Sequence, residues 1–213
     1  MINTKEHSAA KIDAGIAGAA AKAEFIKIYR EHIKREGADK LLAYLEKSDF
    51  FTAPASTRFH SSFASGLVEH CVKVYKRFTN MLTCEYGTDT GKWPCPTESV
   101  AIIALLHDVC KVGCYKVEER NVKVGNEWLK RPYYAVDDPL PYGHGEKSVY
   151  VIGEYMRLTL QEAMAINWHM GGYDARYSSS NYVLSDAFTR FPLCVLFHTA
   201  DLLTTYLDEK STK

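Results

Sequence analysis

The chain has no net charge to speak of: 26 Lys and Arg stand against 26 Asp and Glu in 213 residues. Nucleic-acid and membrane-surface binders usually carry a basic excess, so the bulk composition gives no global reason to expect either. A local basic patch stays open. Long apolar runs are missing too. Stretches such as FPLCVLF (191–197) fall far short of the roughly 20 residues that cross a bilayer. The first 25 residues carry charges throughout and have no apolar centre of the kind a secretory leader needs. No CxxC pair occurs among Cys71, Cys84, Cys95, Cys110, Cys114 and Cys194, which excludes a zinc ribbon and a thioredoxin-like site. At this length, and with 46% hydrophobic residues, a core can form without disulfide staples. Reduced thiols and a cytoplasmic location are the expectation. There is no internal repeat and no convincing linker. The reading is therefore one domain over 1–213, with 1–18 a frayed or partly helical lead-in and 209–213 a tail.

What is present is helical periodicity. Phe25, Ile28, Tyr29, His32 and Ile33 share one face of a helix predicted over 19–36, with Gly37 as its stop. Asp39 is placed to cap a second helix through Ser48. Residues 50–65 are turn-rich. Leu67, Cys71, Val74, Tyr75, Phe78 and Leu82 form the stripe of a helix from Gly66 to about Leu82. Another helix runs from Thr97 to His107. Two strand-like runs around Gly125-Asn126 predict a β-hairpin over 114–136. Helices are then expected at 144–157, 160–168 and 190–208, with a polar loop at 171–181. The last helix would pack through Leu193, Leu196, Ala200, Leu203 and Leu207. The fold class is mainly all-α: a helical bundle with a small inserted hairpin.

Six of the eight histidines, His60, His70, His107, His144, His169 and His198, fall at or near helix and loop boundaries. Asp108 and Asp201 lie in otherwise apolar helices. A lone histidine near a buried stripe is usually a satisfied core residue, but unpaired buried aspartates are rare. The plain alternative for Asp108 is an ion pair with Lys111 at i+3. Taken together, imidazole nitrogens and carboxylate oxygens suit zinc, iron, manganese, cobalt or nickel. Adjacent His107 and Asp108 can both reach an ion if the helix end is distorted. His70 and Asp201 would join them from two other helices, as in bundle-core metal sites.

The order His70, His107-Asp108, Asp201 resembles the HD-domain superfamily of metal-dependent phosphohydrolases. The resemblance covers roughly residues 55–208. HSSFASGLVEHCVKV is similar to the HHxxxGGLxEH segment in the HD domain of YhaM-type 3′–5′ exoribonucleases. LLHDVCKVG resembles LLHDIGK, YGHGEKSVYVI and INWHMGGYD look like the two later histidine motifs, and LFHTADLL resembles the closing H-x-A-D. Ser61 replaces the second histidine of the first motif, Ala64-Ser65-Gly66 its glycine-rich run, and Cys110 the glycine before the lysine. No separate OB-fold domain accompanies the motifs.

The resemblance implies an HD-type helical bundle that holds one or two divalent transition-metal ions (Mn, Fe, Co, Ni or Zn). His70, His107, Asp108 and Asp201 would hold the first ion, and His144 and His169 a second, with Asp108 bridging. It implies a metal-activated hydroxide that cleaves a phosphoester of a nucleotide or short oligonucleotide, with Asp108 and Lys111 as catalytic residues. Lys111, at i+4 from His107, would neutralise phosphate charge; its plain reading is a helix-end lysine favoured by the dipole. Arg58 and His60, in the loop before the first ligand, are candidate phosphate binders. His198, at i+3 from Asp201, is assigned a substrate-facing or supporting place. Glu69 either orients His70 or faces solvent. In the hairpin, Trp128, Tyr133 and Tyr134 beside Lys130 and Arg131 either stack a base and hold phosphates or pack structurally. The expected partners are a small phosphorylated substrate or a short single-stranded nucleic acid, and no membrane. The alternatives are an HD-type mixed-valent di-iron oxygenase, which uses the same ligand set, a 3′–5′ exoribonuclease, or a non-catalytic module.

Overall fold

The computed structural model describes residues 4–174, 176 and 182–209, with side chains described from residue 17 onward. The described residues form eight α-helices and one hairpin, so the chain is mainly all-α with a small hairpin inserted. In order these are α1 (Thr4–His32), α2 (Ala38–Lys47), α3 (Gly66–Tyr86), α4 (Thr97–Leu106), β1 (Tyr115–Val124), β2 (Glu127–Val136), α5 (His144–Gly153), α6 (Leu160–Asn167), α7 (Val183–Arg190) and α8 (Pro192–Leu203). A π turn, Thr204–Asp208, continues α8. None of the described helices is long and apolar enough to cross a membrane.

Helix α4 explains the arrangement. From Ser99 to Leu106 every residue is buried, so this helix is apolar on all sides and must be surrounded. Helices α1, α3 and α6 pack around it. Its C-terminal end therefore lies inside the protein, and that end carries His107 and Asp108. On α1, Phe25, Tyr29 and Ile33 are buried, and the Phe25 ring meets Phe50 and Phe51 at 5.2 and 5.3 Å. The α3 stripe is buried as its spacing predicts, with Tyr75 half-buried. Phe78 of this stripe meets Phe197 of α8 edge-on at 5.2 Å, fixing the two helices that carry His70 and Asp201.

An ion-pair network locks the opposite end of the bundle. Arg35 donates from both terminal nitrogens to Glu162, each at 2.8 Å, and also reaches Glu98 at 3.2 Å. Ser99 Oγ donates to Glu162 at 2.6 Å, and the Thr159 amide at 2.7 Å, within a capping box that starts α6. Burial alone would raise the Glu162 pKa. Arg35, Ser99 and Thr159 overcome it, and the pKa lies below the usual glutamate value. A carboxylate with a depressed folded pKa adds stability above its unfolded pKa and loses it as pH falls through the folded one. Arg35→Ala leaves Glu162 charged and buried, and should cost about 3–5 kcal/mol at pH 7. Urea unfolding at pH 7 and in the acid range checks this: the gap between variant and parent should narrow as Glu162 protonates. An equal gap at both pH values counts against it.

The structure departs from the sequence reading in several places. The lead-in is helical from Thr4, and α1 stops at His32, short of 36. Asp39 lies inside the first turn of α2 and makes no cap; Gly37, with φ +88°, turns the chain there. Helix α3 continues to Tyr86. The helix expected over 190–208 is present from Pro192, as α8 and its π turn, and a separate helix not expected from the sequence, α7, precedes it and ends at Arg190. Leu207 is exposed because the π turn rotates it off the packed face. Residues 175 and 177–181 of the expected polar loop lie outside the described residues; Gly171–Tyr173 form a 3-10 turn.

The hairpin pairs Tyr115 with Val136 through to Val124 with Glu127, around Gly125-Asn126 as expected. Trp128 is exposed, so packing does not account for it. Tyr133 is tied within the ribbon: its hydroxyl donates to Glu118 at 2.7 Å, and the Arg120 guanidinium lies 5.1 Å from its ring. Tyr134 meets the Tyr115 ring at 6.5 Å.

Candidate metal centre

The six residues expected as ligands come together, although they are spread over 131 positions from His70 to Asp201. Helix α4 ends at Leu106; Asp108 then takes φ −103°, ψ +16°, and a 3-10 turn follows over Val109–Lys111. This distorted end aims His107 and Asp108 at one point. His70 comes from the second turn of α3, His144 opens α5, His169 follows the end of α6, and Asp201 sits on α8.

The hydrogen bonds fix how the imidazoles face. His107 Nδ1 donates to Ala104 O at 3.0 Å, and His169 Nδ1 donates to Ile166 O at 2.6 Å. Each uses the carbonyl three residues back, at the end of its own helix, where the regular i to i−4 pattern has broken off. Holding the proton on Nδ1 turns each Nε2 lone pair into the cluster. His70 Nδ1 lies 3.1 Å from Glu209 Oε1, and its Nε2 lies 3.2 Å from both His107 Nε2 and Asp201 Oδ1. Asp108 faces two ways. Its Oδ2 lies 2.6 Å from Lys111 Nζ, 3.5 Å from His107 Nε2 and 3.7 Å from His70 Nε2. Its Oδ1 lies 2.8 Å from His144 Nε2 and 3.6 Å from His169 Nε2. His169 Nε2 is a buried atom with no hydrogen-bond partner among the described residues.

These spacings suit a metal ion. Donors about 2.1 Å from one ion stand roughly 3.0 Å apart in an octahedron and roughly 3.4 Å apart in a tetrahedron. The contacts between the inward-facing imidazole nitrogens and carboxylate oxygens span 2.8–3.7 Å. Four overlapping triads have donor atoms within 4.8 Å of one another: His60–His70–Glu209, His70–His107–Asp108, His107–His169–Asp201 and Asp108–Cys110–His144. Most of the cluster is closed to water; it opens at His144, whose side chain is 32% exposed, and at Asp201, 14%.

The electrostatics ask for a cation. For Asp108, burial favours the neutral acid, but Lys111 and His107 overcome it and hold the pKa well below the carboxylate range. Asp201 is lowered in the same way by His70 and His107 against burial. Burial pushes His107 and His144 down, and His60 to about 4, so these are neutral at pH 7. His70 is the exception. Burial opposes its charge, yet Asp201 and Glu209 raise it to about 10. One proton there faces two carboxylates and two imidazole lone pairs.

Other expected residues take different places. Lys111 pairs with Asp108 at i+3, the plain reading, and sits at the cluster as well. His60 lies over His70, ring centroids 5.1 Å apart. It is held there by a tight loop in which Ser61 and Ser65 adopt positive φ, and in which a Cβ on Gly66 would meet Ser61 O at 1.9 Å. Arg58 is not brought in: it is exposed, with its guanidinium over the Phe59 ring. His198 supports the cluster from behind, donating from Nδ1 to His169 O at 2.7 Å. Glu69 lies 3.8 Å from Lys73 and does not contact His70; the residue that does is Glu209.

Sequence reasoning missed two supports. Glu209, placed in the tail, is buried against His70. Arg176 donates to Asn167 O at 3.0 Å and pairs with Glu146 at 2.7 Å, tying the end of α6 to the start of α5. Those two ends carry His169 and His144. Gly145 allows the same approach, since a Cβ there would lie 2.2 Å from Asn167 O.

Fold and site thus define a helical protein with a buried histidine–aspartate centre able to hold a metal ion. Compared with protein-family models, curated proteins and solved structures, the chain has no significant match.

Proposed function

We propose that this protein is a metal-dependent phosphohydrolase of the HD-domain type, acting on a nucleotide or short oligonucleotide. The observation that carries the reading is the convergence of two imidazole Nε2 lone pairs, fixed by helix-end carbonyls, on the carboxylates of Asp108 and Asp201. Such a group of acceptors repels itself unless a cation sits among them. With all imidazoles neutral, Asp108, Asp201, Glu209 and Lys111 together leave two negative charges, the complement of one divalent ion.

His70, His107, Asp108 and Asp201 would hold one ion, and Asp108, His144 and His169 a second. When bound, such an ion supplies Lewis acidity that lowers the pKa of water and offsets phosphate charge. The chain's own groups do the rest. Asp108 presents one oxygen to each half of the cluster. Lys111 spends one of its three N–H donors on Asp108 and has two left for a phosphoryl oxygen. His60, neutral at pH 7 and half-buried over the His70 ring, can donate to the substrate. The buried walls on the His107 and His169 side keep out bulk water, and substrate enters beside His144.

Metal analysis of the purified protein, then phosphate release across nucleotides and short single-stranded RNA with Mn, Co or Ni, tests this. Bound metal and phosphate release on at least one substrate are expected. Dioxygen consumption by iron-loaded protein with no phosphate release points to the oxygenase instead; neither activity points to a binding module.

A further inference from the structure

Two of the inward-facing imidazoles are held by their own helix ends, and His70 is not. It sits within α3, where the backbone carbonyls are taken up by the helix itself, so its Nδ1 proton needs an acceptor from elsewhere. That acceptor is Glu209, 3.1 Å away. Glu209 lies eight residues beyond Asp201, roughly 12 Å further along a regular helix. The chain does not run on as a regular helix: over the π turn Thr204–Asp208 the Glu209 amide donates back to Thr204 O at 3.1 Å, Thr204 Oγ1 donates to Ala200 O at 2.9 Å, and Glu209 itself is extended. Asp208 pairs with Arg77 of α3, one contact being Nε to Oδ2 at 3.0 Å, so the turn is pinned to the helix that carries His70. The Glu209 side chain is fully buried, and its Oε2 has no hydrogen-bond partner among the described residues.

We infer that Glu209 is the positioning residue for His70, and that the π turn with its Arg77–Asp208 clasp is a working part of the centre. This rests on the metal reading above. The carboxylate holds the Nδ1 proton, fixes the ring and leaves Nε2 to face the ion. Loss of such a support costs about 10–100-fold in metal affinity.

Cobalt(II) titration of the full chain, followed by calorimetry and by visible absorption, reads the effect directly. Glu209→Ala should bind cobalt(II) about 10–100-fold more weakly than the parent, and Glu209→Gln, which keeps an acceptor oxygen, should recover part of the loss. Nitrogen-15 NMR of the histidine rings should show His70 as the Nδ1-protonated tautomer in loaded parent and Gln variant, and not in the Ala variant. Loss of fold alone would not move that signal selectively. Arg77→Ala, at the surface, tests the same link without emptying the core and should weaken binding severalfold. Parent-like affinity in Arg77→Ala and in folded Glu209→Ala overturns the inference while leaving the metal reading standing. If Glu209→Ala does not fold, parent-like affinity in Arg77→Ala is enough to overturn it. If the parent itself takes up no cobalt(II), the metal reading fails, and this inference with it.

Discussion

Asp108→Ala should strip the protein of bound metal and of phosphate release together. Among the described residues no other carboxylate faces both halves of the cluster: one oxygen lies toward His70 and His107, the other toward His144 and His169. Removing it leaves the Lys111 ammonium beside imidazoles with no neutralising partner at 2.6 Å. The loss of affinity should exceed the roughly 100-fold that a supporting hydrogen bond is worth. Unpairing Lys111 also costs stability, about 3–5 kcal/mol for a broken buried pair, so a second variant is needed. Asp108→Asn keeps the size and removes the charge; it should stay folded and still fail to retain metal. His107→Ala should also lose metal and activity, and the cavity it leaves against Phe197, whose ring lies 5.3 Å away, should lower its melting temperature. Metal content by emission spectroscopy and turnover on the best substrate decide the matter. Substantial residual metal with full turnover in Asp108→Ala would end the proposal.

How far the sequence reached depends on which physical signal each residue carried. Helix α4 was legible because an uninterrupted apolar run leaves a helix nowhere to go but the interior, and a His-Asp pair at its end must go with it. The hairpin was legible from Gly125-Asn126 between two β-prone runs. The six clustered ligands were legible only as an ordered set; singly, each had an ordinary reading as a core or surface residue. Arg58 shows the limit of proximity in sequence: two residues from His60, it points to solvent because the loop reverses at Ser61. Helix α7 was missed because its buried face is short, with Leu184 and Ala187 the only buried residues of its eight. Glu209 was out of reach for a different reason. Its contact with His70 depends on a π turn, which shifts side-chain register by a residue and leaves no mark in 3.6-residue periodicity. The Arg176 link between α5 and α6 was equally silent, since an arginine in a polar loop has many possible partners and nothing local selects Asn167 or Glu146.

Adding a divalent ion should raise the melting temperature by about 5–10 °C at a free concentration one hundred times its Kd. The metal-free folded chain holds several groups together at some cost. His169 Nε2 is buried without a hydrogen bond, and His70 carries a buried charge between the Asp201 and Glu209 carboxylates. An unfolded chain meets none of these demands, because each group is then hydrated on its own. An ion that binds only the folded cluster stabilises it by about 2.7 kcal/mol at that concentration. For a domain of this size, each kcal/mol moves the melting temperature by about 2–4 °C. The gain should follow the ion's preference for nitrogen and oxygen donors, with cobalt, nickel or zinc above magnesium, because imidazoles outnumber carboxylates here. A chelator should reverse it. Asp201→Ala breaks the buried contact with His70, so it should start from a lower metal-free melting temperature and should gain much less from the ion. The difference in gain separates specific binding from a general salt effect: surface screening would shift parent and variant alike, whereas an ion seated in the cluster helps only the chain that still has the ligands to hold it.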